Sequence, residues 1–266
     1  MDAPHGPFQA VGKRRWIMTK HVVRTLGPLL LGLMIVGEAV AGGAVKGSVT
    51  FTDGPQKRRK IKMAADPVCA SKHTSEVLSE RLLVSAVDSA MQNVFVYVST
   101  GLEGKTFDVP AEAAVIDQKG CLYSPRILGV MAGQKIKILN NDGTLHNVHP
   151  KPKVNKEFNL AMPKFMKVKE VTLDKPEIID GSLVMIPVKC DVHPWMWGAI
   201  GVLSHPFYTT TGADGAIDIS GLPAGTYTVT AWHEIFGTKS QEVTVADGGS
   251  ATADFSFARA DMKRGK

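Results

Sequence analysis

The sequence has little cysteine and little histidine, and no long apolar run. Three cysteines in 266 residues are too few for a disulfide scaffold, and an odd number leaves at least one thiol for other work. There is no His-Glu-x-x-His and no nucleophile elbow, which removes the common zinc-peptidase and serine-hydrolase chemistries. Nothing approaches the ~20 apolar residues that a membrane-spanning helix needs, residues 114–205 hold no long 3.6-residue apolar period, and the pattern over 74–81 is ambiguous. The charge excess is also small: 31 Lys+Arg against 25 Asp+Glu gives +6.

What is present begins with an address. Lys13, Arg14, Arg15, Lys20 and Arg24 precede the apolar run of 12 residues 26–37, and Ala39-Val40-Ala41 follows as a small-x-small cleavage site. That order is a secretory signal peptide over residues 1–41, and it implies an exported, periplasmic-type location with no permanent membrane anchor. Arg14-Arg15-Trp16 loosely resembles a twin-arginine signal, whereas a start at Met18 would give an ordinary one. Cleavage removes five cations and two anions, leaving +3, weak ground for a nucleic-acid partner. It also removes His5 and His21 and leaves His73, His146, His149, His193, His205 and His233.

The remaining chain alternates with period 2. Val45, Gly47, Val49 and Phe51 alternate with Lys46, Ser48, Thr50 and Thr52, as a half-buried strand does. Further strands are expected at 93–99, 127–130, 135–139, 170–173, 182–188, 199–203, 227–232, 241–245 and 252–257. Turn clusters punctuate them at Asp53-Gly54-Pro55, Asn140-Asn141-Asp142-Gly143 and Asp214-Gly215. The expected fold class is all-β, built from sandwiches or barrels. The tail 259–266 is polar and expected to fray.

One short loop concentrates the chemistry. Cys190-Asp-Val-His193-Pro-Trp-Met196 places a thiol, an imidazole and a thioether between two expected strands. Thiolate, two imidazoles and a weak axial thioether form the ligand set of a blue-copper site. The second imidazole is expected from His146, 44 residues before Cys190 and directly after a strand and a turn.

With these residues, together with Val130-x-x-Gly133, Asn140/Asn141 and His146-Asn147-Val148, residues 114–205 resemble the cupredoxins, with a ligand loop closest to that of amicyanin. The resemblance implies a Greek-key sandwich holding one type 1 copper ion. His146, Cys190 and His193 would be the strong ligands and Met196 the weak axial one. Asn147 would tie the two ligand loops together. One edge of His193, beside Pro194 and Trp195, would face a redox partner protein such as a cytochrome or dehydrogenase. Val188 and Lys189 depart from the aromatic often found two before the cysteine, so no electron path carries over. Six histidines without a His-x-His pair are too few for a multicopper enzyme, and one cysteine in the loop excludes a binuclear copper centre. No enzymatic activity is expected.

Cys69 and Cys121 remain. In an oxidising compartment they are expected to pair, closing 52 residues and constraining the unfolded chain by ~4 kcal/mol; the alternative is two reduced buried thiols. Residues from Thr210 through the Gly221-Leu-Pro-Ala-Gly225-Thr-Tyr227 corner resemble the carboxypeptidase regulatory-like, transthyretin-like sandwiches, whose opening Gly-x-Val strand would be Gly47-Ser48-Val49. The expected organisation is therefore a second sandwich split into 44–113 and 206–258, with the copper domain inserted. Sequential packing is the alternative. The whole resembles exported methylamine-utilisation-type proteins.

The functional expectation is single-electron carriage. Lys151, Lys153, Lys156, Lys164, Lys167 and Lys169 would form a steering rim or a plain solvated face. A copper carrier or storage module, with Met162 and Met166 as extra thioethers, and a metal-free structural protein are the alternatives. His149, His205 and His233 are expected to be non-ligands, the first two in loops.

Overall fold

The computed structural model describes residues 42–262. The signal peptide assigned to residues 1–41 lies outside them. No helix among the described residues is long and apolar enough to cross a membrane.

The chain is all-β, as its alternation predicts. Gly43–Phe51 lies at the centre of one sheet. It pairs antiparallel with Ala216–Leu222 and parallel with Ser250–Thr252 and Phe255–Phe257. The facing sheet runs Tyr208–Thr210, Phe95–Thr100, Gly225–His233, Gly237–Val245. Val45, Val49 and Phe51 are wholly buried, and they belong to one core cluster with Val229, Tyr227 and Phe257. Strands from both halves of the chain thus build one sandwich.

The intervening residues form a second pair of sheets. One runs Leu160–Met162, His146–Pro150, Ile186–Lys189, Trp197–Leu203, Ile127–Met131; the other runs Val168–Thr172, Lys135–Asn140, Ala114–Lys119, Leu122–Ser124. Their cluster includes Val130, Ile136, Ile138, Val202, Cys190 and Met196. The expected strand 182–188 is broken, Ser182–Leu183 pairing with Ile178–Ile179 and Ile186–Lys189 joining the larger sheet.

A third cluster, with Phe95, Tyr97, Ile127 and Met185, joins the two sandwiches. Two glycines permit the contact. Gly129 and Gly201 are partners in the parallel pair of strands. A Cβ on Gly129 would lie 2.4 Å from the Tyr208 ring, and one on Gly201 would lie 2.7 Å from the Phe95 ring. Arg126 crosses the same seam to Glu234 at 2.6 Å, with both side chains only 9% exposed.

The pattern around residues 74–81 gives no helix. The one α-helix among the described residues is Pro67–Ser71, capped by Asp66, whose Oδ1 accepts from the N–H groups of Val68 (2.8 Å) and Cys69 (3.2 Å). A capping aspartate before a proline at the first helical position is a strong local start signal. The helix carries Cys69, bonded to Cys121 with the Cα atoms 5.6 Å apart. Within the tail expected to fray, Arg259–Asp261 forms a 3-10 turn closed by Asp261 on the Ala258 N–H, and 263–266 lie outside the described residues.

Candidate metal centre

Strand ends bring the expected residues together. His146 opens the strand His146–Pro150. Cys190 follows Ile186–Lys189, and Met196 precedes Trp197–Leu203. The loop closes on itself: the Met196 N–H donates to the His193 carbonyl (2.9 Å) and the Cys190 N–H to the Met196 carbonyl (3.3 Å). Met196 is wholly buried in the same core cluster as Cys190.

His146, Cys190 and His193 offer one ligand atom each within 4.8 Å of one another, all buried. The Nδ1 atoms of His146 and His193 face each other at 2.9 Å, and Cys190 Sγ lies 3.7 Å from His193 Nδ1. The outer nitrogens are both occupied. His146 Nε2 donates to Asp142 Oδ2 at 2.9 Å, and His193 Nε2 donates to Asp66 Oδ2 at 2.8 Å. A carboxylate accepts only, so each outer nitrogen carries a proton, and with His146 held charged its Nδ1 donates a second one to the His193 Nδ1 at 2.9 Å, a proton that a bound metal would displace.

The electrostatics follow from these contacts. Burial opposes charge on His146, yet the bonds to Asp142 and Cys190 outweigh it and hold the imidazole up at about 9. Burial likewise opposes a thiolate at Cys190, but His146, the Asn147 and His193 backbone groups and the His193 ring bring it down to about 7. Asp142 is desolvated, but His146 and the N–H groups of Cys121 and Gly120 keep it below the usual carboxylate range. The bond from His193, with the helix N–H groups, does the same for Asp66.

Asn147 binds the two loops. Its Oδ1 accepts the Asp191 N–H at 2.7 Å, and its Nδ2 donates to Asn159 Oδ1 (2.6 Å) and Asp191 Oδ2 (3.0 Å). His149 is on the strand rather than in a loop, and its ring bridges Asp191 (2.8 Å) and Glu157 (2.9 Å). Lys151, expected in a basic rim, pairs with Glu157 at 2.6 Å.

One expectation is corrected. No edge of His193 reaches solvent: the residue is 2% exposed. Asp66 covers Nε2, Cys69 Sγ lies 3.5 Å from the same nitrogen, and Trp195 packs against the ring at 5.1 Å. The sequence pattern gives no sign of Asp66 because it lies 127 residues from His193 in a stretch without periodicity. Asp142, only four before His146, reads in sequence as a turn residue. Its place next to a candidate ligand is the one signal that points to it.

Comparisons with known proteins match parts of the chain. The model of the carboxypeptidase regulatory-like domain matches residues 202–258. Among solved structures, a mutant amicyanin in its Cu(I) form is 24% identical, covers 36% of this chain and 86% of its own, and superposes with a TM-score of 0.29. A second, reduced amicyanin mutant gives 26% identity over the same shares, also at 0.29. The copper-containing nitrite reductase of Thermus scotoductus is 18% identical, covering 40% of this chain and 25% of its own at 0.31. No curated protein matches. Likeness at this level decides nothing about the site, whose chemistry rests on its own side chains.

Proposed function

We propose that this chain is an exported electron-transfer protein with one copper ion held by His146, Cys190 and His193, and with Met196 as the weak fourth ligand. The observation that carries the reading is the pair of Nδ1 atoms at 2.9 Å. A proton bridges them in the metal-free chain, and a metal ion would take its place, with the thiol of Cys190, held low by the same imidazoles, beside it. Nitrogen, nitrogen and sulfur from one buried triad suit copper. When bound, copper would supply a one-electron couple between Cu(I) and Cu(II).

The chain's own residues do the rest. Asp142 and Asp66 fix the tautomer and tilt of each imidazole. Asn147 locks the two loops in register. The buried triad excludes water, so the donor positions are held the same in either charge state. No residue set here suggests catalysis, and the partner is read as a protein redox donor or acceptor such as a cytochrome or dehydrogenase. With the His193 edge covered, the surface around Pro194 and Trp195 is the nearest approach. The copper domain, 114–205, is read as an insertion into a regulatory-like sandwich of 44–113 and 206–258, which leaves the host's strands free to pair across it.

The carrier reading has less support. Met162 lies opposite His146 in the ladder but is wholly buried, and exchange of metal with a partner calls for reachable donors. Adding one equivalent of Cu(II) to the full chain tests the proposal. An intense visible thiolate-to-copper band with reversible reduction supports it. Tight Cu(I) binding without that band favours a carrier, and no binding by the folded chain rejects both.

A further inference from the structure

Four tryptophans occur in the chain, and Trp16 lies in the leader. The other three, Trp195, Trp197 and Trp232, line one cleft of about 740 Å³. Each comes from a different setting: the ligand loop, the strand Trp197–Leu203 and the strand Gly225–His233. The third wall is the segment carrying Arg59, Lys62 and Arg81. All three indoles are only partly buried. Large aromatic surface left half-open in one place is characteristic of a binding site, where ring faces bind at low entropic cost.

The charges around the cleft are lopsided. Arg59, Lys60, Lys62, Arg81 and Arg126 line it against Glu80 and Glu234. Glu234 is already consumed, by Arg126 at 2.6 Å and Arg81 at 3.2 Å, and Lys60 pairs with Glu76. Arg59 and Lys62 are exposed and, among the described residues, have no carboxylate partner, so two unpaired cations outnumber Glu80, the one lining carboxylate without an ion pair. The walls are held in place: Trp195 Nε1 donates to the Cys121 carbonyl at 3.1 Å, and the Arg126 guanidinium sits 4.6 Å over the Trp197 ring.

We infer that this cleft binds a small planar aromatic carboxylate, its ring against the indoles and its carboxylate on Arg59 and Lys62. The volume falls within the ~300–1,000 Å³ of small-molecule sites. The π walls select a flat ring, and the unpaired cations select an anion. Through Trp195 the occupant would lie one indole away from His193. The cleft alone supports such binding, independently of any metal.

The test uses the metal-free full chain with Trp16→Phe, so that all indole emission comes from the cleft. The probes are 4-nitrobenzoate, its neutral analogue 4-nitrobenzamide and the non-aromatic cyclohexanecarboxylate, each followed by calorimetry and, for the nitro compounds, by tryptophan quenching. The benzoate is expected to bind one to one, at least tenfold tighter than either analogue, and to quench at saturation. Arg59→Gln with Lys62→Gln, both surface changes that leave the core intact, should erase the tenfold preference over the amide. Trp232→Leu, checked for an unchanged melting profile, should weaken both nitro compounds about tenfold. Equal affinity for benzoate and amide, a preference that survives the double substitution, or binding without quenching would each overturn the inference.

Discussion

Four histidines are buried among the described residues, and they fall into two pairs prepared in opposite ways. His146 and His193 have carboxylates on their outer nitrogens and a thiol beside their inner ones. His205 and His233 are buried against rings instead. His205 packs with Phe107 and Phe207, and His233 stacks on Phe236 at 5.0 Å. Burial lowers both to about 4, helped at His233 by the positive charges of Arg126 and Arg81. Burial is therefore shared and does not distinguish a ligand from a core histidine. The partner on the second nitrogen does.

The largest effect expected from this contrast is an acid one. A histidine whose folded pKa is depressed from 6.5 to about 4 takes up its proton more readily unfolded, so stability falls as pH drops through that window. By pH 4.5 each of His205 and His233 should cost ~2–3 kcal/mol, about 5 together. His146, held at about 9, stays charged in the fold while the unfolded chain gains its proton near 6.5, so it works the other way and adds ~1 kcal/mol of stability between pH 7 and pH 4.5. Denaturant titrations at pH 7 and pH 4.5 check this. His233→Gln should shrink the acid loss by its share, and His146→Gln should enlarge it by ~1 kcal/mol.

The seam between the sandwiches comes next. Glu234→Gln leaves Arg126 buried against an uncharged partner, with an expected cost of about 3 kcal/mol by denaturant unfolding. Removing the charge at exposed Lys135, whose contact with Glu170 is 3.8 Å, should change stability by less than about 1 kcal/mol.

Asp142→Asn removes the carboxylate charge that holds the His146 Nε2 proton and lets an amide NH2 turn toward the ring. Copper affinity, measured by competition with a chelator, should fall about 10–100-fold. A change at Asp218, which belongs to the other sandwich and makes only a 3.7 Å surface contact with Lys46, should leave affinity unaltered. The last effect is steric: Gly201→Ala forces a Cβ to 2.7 Å from Phe95 and should cost about 1–3 kcal/mol in thermal or denaturant unfolding.

The same contrast shows what a sequence can reveal. The grouping of His146, Cys190 and His193 was legible because two of them share one loop and the third follows a strand and turn of the expected kind. The pairing of Cys69 with Cys121, present in the structure, followed from redox compartment and elimination. Alternation marked Gly43–Phe51 and Gly225–His233 within two residues or so. Ala216–Leu222 was hidden between two turn clusters, Asp214-Gly215 and Gly221–Gly225. Asp66 was out of reach, since its role is set by a contact across 127 residues and local pattern shows only a helix cap. The Trp232 wall of the cleft was equally invisible, because it depends on how one sandwich meets the other.

The central claim is that the Nδ1 atoms of His146 and His193 and the thiolate of Cys190 hold one copper ion. X-ray absorption at the copper edge of the loaded full chain tests it most directly. One short copper–sulfur contact and two imidazole nitrogens are expected, with the sulfur lost in Cys190→Ser. A copper shell of nitrogen and oxygen only, or a sulfur contact that survives Cys190→Ser, would contradict it.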